Sequence, residues 1–149
     1  MKRTIIALLF LSLGAVGLKA EVFKGSDDYK KHMEFLGYEV TPKKKTLQAK
    51  HGQFLNVWLK QYQKGILVIG YFGRNEKTKQ DVAGFHKLIN DLNKGASAAR
   101  YYEDKDGDLA IEAWYPGNYE RVRFGIFMDA FNQTRSQLQK EDRLEKYVK

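Results

Sequence analysis

The sequence predicts an α+β fold, with three helices packed on an antiparallel sheet of about five strands in the order α-β-β-β-α-β-β-α. Three observations carry this reading. Helix-period stretches stand near the start, middle and end of the chain, and two blocks of strand-period sequence lie between them. Within each block the strands are joined by short turn signals, which suits antiparallel pairing. No internal repeat, low-complexity tract or linker divides the chain, so one domain is expected.

The first helix is read from "SDDYKKHMEFLGYEV". Ser26 or Asp27 serves as its cap, Tyr29, Met33 and Leu36 recur at i, i+4 and i+7, and Gly37 stops it. "YEV" then opens an extended segment. "TLQAK" and "FLNVWLK" alternate around a His51–Gly52 turn, and "GILVIGYF" follows as a central strand, apolar on both faces. In "FLNVWLK", Leu55, Val57 and Leu59 share one face, and Phe54, Asn56, Trp58 and Lys60 take the other.

The second helix, within "NEKTKQDVAGFHKLINDLNKG", has one stripe of Val82, Phe85, Leu88, Ile89 and Leu92 and ends at Asn93 to Gly95. The last helix, capped by Asn118, is expected to bury Val122, Ile126, Ala130 and Phe131. Its charge-laced end, "QKEDRLEKYVK", is expected to project into solvent or fray.

Residues 1–20 read as a signal peptide, with Lys2 and Arg3, an apolar run from Ile5 to Leu13, and small residues up to Ala20. Cleavage after Ala20 is preferred to cleavage after Gly17. The domain is then 21–149, and the expected localisation is periplasmic or secreted. Without cysteine, that domain is held by its core rather than by disulfides. Removal of Lys2, Arg3 and Lys19 lowers the net charge from +8 to +5. This surplus is spread out, with one cluster at Lys43, Lys44 and Lys45, and no nucleic-acid motif accompanies it.

Catalytic and metal chemistry find no anchor. Asp104, Asp106 and Asp108 alternate like the start of a calcium loop, but Gly107 stands at the fourth position and Tyr115 at the twelfth. Asp106–Gly107 between alternating runs is instead a hairpin signal. Glu103, Asp104 and Glu112 read as exposed hairpin positions rather than an acid/base pair. His32, His51 and His86 fall on three elements and lack ligand spacing. "GYFGR" lacks the third glycine and the lysine of the phosphate-binding fingerprints. No enzyme activity, metal or cofactor is therefore expected.

The aromatics are the remaining feature. Trp114 stands opposite Ile111 and Ala113 on its strand, and Phe54 and Trp58 occupy the mixed face of theirs. If the helices cover one side of the sheet only, Phe54, Trp58 and Trp114 form a partner-binding patch; if a helix covers the second side, the tryptophans are core.

"HMEFLGYEV", "FHKLINDLNKG", "ARYYEDKDGDLAIEAWYPG" and "YERVRFGIFMDAF" together resemble the YbjN domain family, over roughly Asp28 to Gln139. The resemblance implies a fold like that of type III secretion chaperones, which are small dimers that bind partner proteins, and a sensory or regulatory role without defined activity. The chain differs from those chaperones in its export signal and basic balance. The expectation is an exported, non-enzymatic binding module, chaperone-like or a regulatory adaptor, whose partner is a protein or a second copy. The alternative is a binder of small molecules or envelope polymers that uses its aromatics as stacking platforms.

Overall fold

The computed structural model describes residues 22–149; the expected signal peptide falls outside them. The fold is α+β, with six antiparallel strands in the spatial order β1-β2-β3-β4-β6-β5. The strands are β1 Glu39–Lys43, β2 Thr46–Lys50, β3 Val57–Tyr62, β4 Gly65–Phe72, β5 Arg100–Glu103 and β6 Leu109–Pro116. Four strands, not three, precede the second helix. The extra one is β1, whose single buried residue, Val40, gives no apolar alternation to read.

Helix α1, Ser26–Phe35, is capped by Gly25 rather than by Ser26 or Asp27, and the Ser26 hydroxyl instead accepts from the Val22 N–H. Helix α2, Val82–Gly95, is capped by Asp81, whose carboxylate accepts from the Gly84 N–H. Phe85, Leu88, Ile89 and Leu92 are buried as the stripe requires, while Val82 stays exposed. Helix α3, Arg121–Ser136, is capped by Glu120, not Asn118, through the Val122 and Arg123 amides.

The buried side of α3 differs from expectation. Phe131 is buried as expected, but Phe124, Met128 and Thr134 face inward with it, whereas Val122 and Ile126 are 66% and 64% exposed. This helix is apolar on two sides, and the larger aromatic side fits the cluster of Tyr29, Tyr115 and Phe127, with Phe124 5.0 Å from Tyr29 and 5.3 Å from Tyr115. Burying rings there removes more apolar area than burying Val122 and Ile126 would.

Nor does the C-terminus project away. After a 3₁₀ turn at Gln137–Lys140, the short helix α4, Leu144–Tyr147, returns to the Gly73–Asn75 loop. Asn75 donates to the Tyr147 carbonyl and Lys149 to the Gly73 carbonyl, and the buried Tyr147 ring lies 5.9 Å from Phe85. The guanidinium of buried Arg74 stacks on Phe85 at 3.5 Å and donates to the Thr78 carbonyl.

A single apolar core joins the helices to one face of the sheet. It includes Val40, Leu47, Ala49, Val57, Leu59, Ile66, Val68, Leu109, Ile111 and Tyr115, set against Met33, Phe85, Leu88, Phe124 and Met128. Leu67, Ile69 and Ala110 are buried too, yet belong to the opposite face and lie outside that core.

Candidate functional site: the open face of the sheet

The opposite face is built from alternate residues of the same strands. Trp58 stands opposite Ile69, Trp114 opposite Leu67, and Tyr71 opposite Ala110, which is opposite Tyr102. Such directly opposed side chains are neighbours. The aromatics therefore roof the smaller apolar residues, where no helix of the described residues covers them. Trp58 and Tyr71 meet edge to face at 5.3 Å. Trp114 remains 47% exposed, Tyr62 47% and Tyr71 37%, while Trp58 is half-buried.

Glu112, expected to be exposed, is 8% exposed on this face. Arg100 donates its Nε to Glu112 Oε1 at 2.7 Å, and the Tyr102 hydroxyl donates to Oε2 at 3.1 Å. Its burial follows from the register, since Arg100 on the neighbouring strand lies directly opposite and supplies the counter-charge. Loss of water around Tyr102, reinforced by the Glu112 charge, pushes its phenol well above the usual range. Beside this pair is a groove of about 650 Å³ lined by Tyr62, Leu67, Ala99, Arg100, Glu112 and Trp114.

Phe54 does not join the tryptophans. Strand β3 begins only at Val57, because His51 closes a loop ahead of it: His51 Nδ1 accepts from the Gln53 and Phe54 amides, and Asn56 Oδ1 accepts from the His51 N–H. That loop breaks the alternation. The Phe54 ring lies 4.5 Å from His51 and 5.4 Å from the Arg135 guanidinium of α3, on the helix side. Of the three sequence-derived residues, the sheet thus brings Trp58 and Trp114 to one face and leaves Phe54 elsewhere. Sequence reasoning missed Tyr62 and Tyr71 on this face and Leu67 and Ile69 buried beneath it; the signal was a central strand apolar on both faces.

The sheet edges are protected. At β5, the Asn93 side chain imitates a neighbouring strand, accepting from the Tyr101 N–H and donating to the Tyr101 carbonyl, both at 2.8 Å. At the other edge, β1 carries Pro42, which has no N–H, followed by Lys43. Strand addition is therefore disfavoured at both edges.

Elsewhere the acidic stretch is a hairpin. Gly107 turns at a φ of 84°, and Asp104 Oδ1 accepts from the amides of Asp106 and Asp108. Asp108 accepts from the Arg74 N–H, and Asp106 pairs with Lys105. His32 is buried against Phe124 with Nδ1 3.0 Å from the Tyr119 hydroxyl, and burial, with Arg121 adding to it, lowers its pKa. His86 lies 2.6 Å from Glu103. A larger cleft of about 720 Å³ lies between the start of α1 and the β3–β4 turn, where Asp28 is its one carboxylate among the described residues.

Comparison with solved structures decides the fold. YbjN from E. coli, a putative transcription regulator, superposes with a TM-score of 0.67 at 12% identity, over 84% of this chain and 96% of that one. The fold is YbjN-like. A chain of the heterodimeric ExoU–SpcU complex from the type III secretion system of Pseudomonas aeruginosa shares the YbjN-like fold at a TM-score of 0.52 and 15% identity, over 72% of this chain and 92% of that one. No protein-family model matches the chain, and no curated protein matches it significantly. At these identities the YbjN likeness speaks for architecture, and a role has to be argued from the open face.

Proposed function

We propose that this chain is an exported, non-enzymatic protein-binding module, chaperone-like or a regulatory adaptor, that docks a partner protein on the open face around Trp58 and Trp114. The observation that carries this reading is a broad aromatic face with no helix of the described residues over it, on a sheet whose two edges are protected. The ExoU–SpcU complex lends support as a heterodimer containing a similarly folded chain. Export is supported by the layout of residues 1–20. Cleavage after Ala20 would keep Val22, which packs against the core. The groove beside Trp114 favours a second reading, a small-ligand binder stacking on indole and phenol.

The test is photocrosslinking in the native envelope from two positions, Tyr62 at the rim of the groove and Val122 on the outer side of α3. A specific protein adduct is expected from Tyr62 and not from Val122. It should disappear with Trp58→Lys plus Trp114→Lys, and Trp114→Lys alone serves where the double variant loses its far-ultraviolet spectrum. Adducts from Val122 only would overturn the proposal. Saturable quenching of tryptophan by a small ligand, with no adduct, would replace it by the second reading.

A further inference from the structure

The charges of the open face are laid out in register with its aromatics. One row of directly opposed residues runs Lys43, Thr46, Lys60, Leu67, Trp114 across five strands. The next runs Thr41, Gln48, Trp58, Ile69, Glu112, Arg100. In the second row, Arg100 is neutralised by Glu112. In the first, Lys43 and Lys60 are both exposed and no acidic residue shares their row. Lys44 and Lys45 extend the positive margin into the β1–β2 turn. One end of the row is thus an aromatic seat and the other an unbalanced cation pair.

We infer that the occupant of this face is an acidic protein segment, with an apolar or aromatic anchor seated beside Trp114 and carboxylates over Lys60 and Lys43. The inference rests on the docking face proposed above and adds the chemistry of the partner. Neighbouring strands lie about 4.8 Å apart, so Lys60 is about 10 Å and Lys43 about 19 Å from Trp114 along the row. A polyproline II segment rises about 3.1 Å per residue with about three residues per turn, which brings carboxylates three and six residues from the anchor onto the anchor's own face, over Lys60 and Lys43. A second copy is a poorer occupant, because it brings the same unbalanced lysines and, with Glu112 already paired to Arg100, no free carboxylate in either row to meet them. A nucleic-acid strand is also less suited. Two lysines about 10 Å apart, with Arg100 already paired, make a sparse track for a phosphate at every nucleotide.

Both tryptophans of the chain lie on this face, so their emission reports on it alone. Three tryptophan-free probes test the inference on the mature protein: a peptide with one phenylalanine and glutamates three and six residues on, the same peptide with lysines instead, and oligothymidylate. The glutamate peptide is expected to shift the emission saturably, less so as salt rises. Lys43→Glu with Lys60→Glu should weaken it on the order of tenfold and turn the preference toward the lysine peptide. Equal binding of the two peptides, no binding of the glutamate peptide, or tighter binding of oligothymidylate would each overturn the inference. If the Tyr62 crosslink forms while the peptides do not differ, the docking face stands and only its preference for acid falls. Failure of that crosslink removes both.

Discussion

The two faces of this sheet share six strands and treat apolar surface in different ways. On one, helices α1, α2 and α3 bury Val57, Leu59, Val68, Leu109 and Ile111 to zero exposure or nearly so. On the other, Leu67, Ile69 and Ala110 reach comparable burial under no helix of the described residues, beneath aromatics that stay partly wet. Strand β4 displays the contrast within eight residues. Gly70 faces the helices and leaves room for the Leu55 side chain; Gly65 faces outward, under the Trp114 indole and against the Tyr115 carbonyl. A covered face gains stability from packing on all sides, whereas an aromatic roof protects the sheet and still leaves aromatic surface exposed to solvent.

The sharpest way to break the comparison is to delete one large side chain from each face. Phe124→Ala should cost about 3–5 kcal/mol and Trp114→Ala under about 1 kcal/mol in urea unfolding, because the first ring is fully buried and the second half exposed. Near-equal losses would mean that the open face is core. Next come the glycines, with costs of about 1–3 kcal/mol. Gly65→Ala should exceed Gly70→Ala, since an added Cβ meets backbone oxygen at 2.2 Å in the first case and a movable leucine methyl at 2.2 Å in the second. The same unfolding midpoints decide their order.

A comparable or smaller effect, about 1–3 kcal/mol, is expected of Asn93→Ala, which leaves the Tyr101 peptide without its two partners. It should also open the β5 edge, so sedimentation should show concentration-dependent association absent from the parent.

The smallest effect is confined to the tail that closes the helix-covered side. The Tyr147 hydroxyl, then Lys146 and the Gly84 amide, hold Asp81 at about 2, below its ordinary 3.8. A depressed carboxylate stabilises above its unfolded pKa, so tail docking should be intact above about pH 4 and fade as pH falls through 2. Tyr147→Phe should raise the Asp81 midpoint toward its ordinary value, as read from its side-chain carboxyl resonance.

Elements with strong local periodicity or turn chemistry were legible. The α2 stripe, the Gly37 stop and the Asp106–Gly107 hairpin all follow from neighbours within a few residues. So did the pairing of Trp58 and Trp114 on one face, because strand alternation is a property of the backbone. Phe54 was misplaced because a histidine side chain bonding two amides broke that alternation, and Glu112 because its counter-charge lies twelve positions away.

Period and turn residues thus determined, from the sequence alone, an α+β domain with an antiparallel sheet and two tryptophan-bearing strands. Tertiary structure decided which side of α3 is buried, that the tail returns to Arg74, and that all three long helices pack on one face. These depend on competition between surfaces distant along the chain, where the winner is the contact that removes more area from water or supplies the missing charge, and no local window holds both competitors.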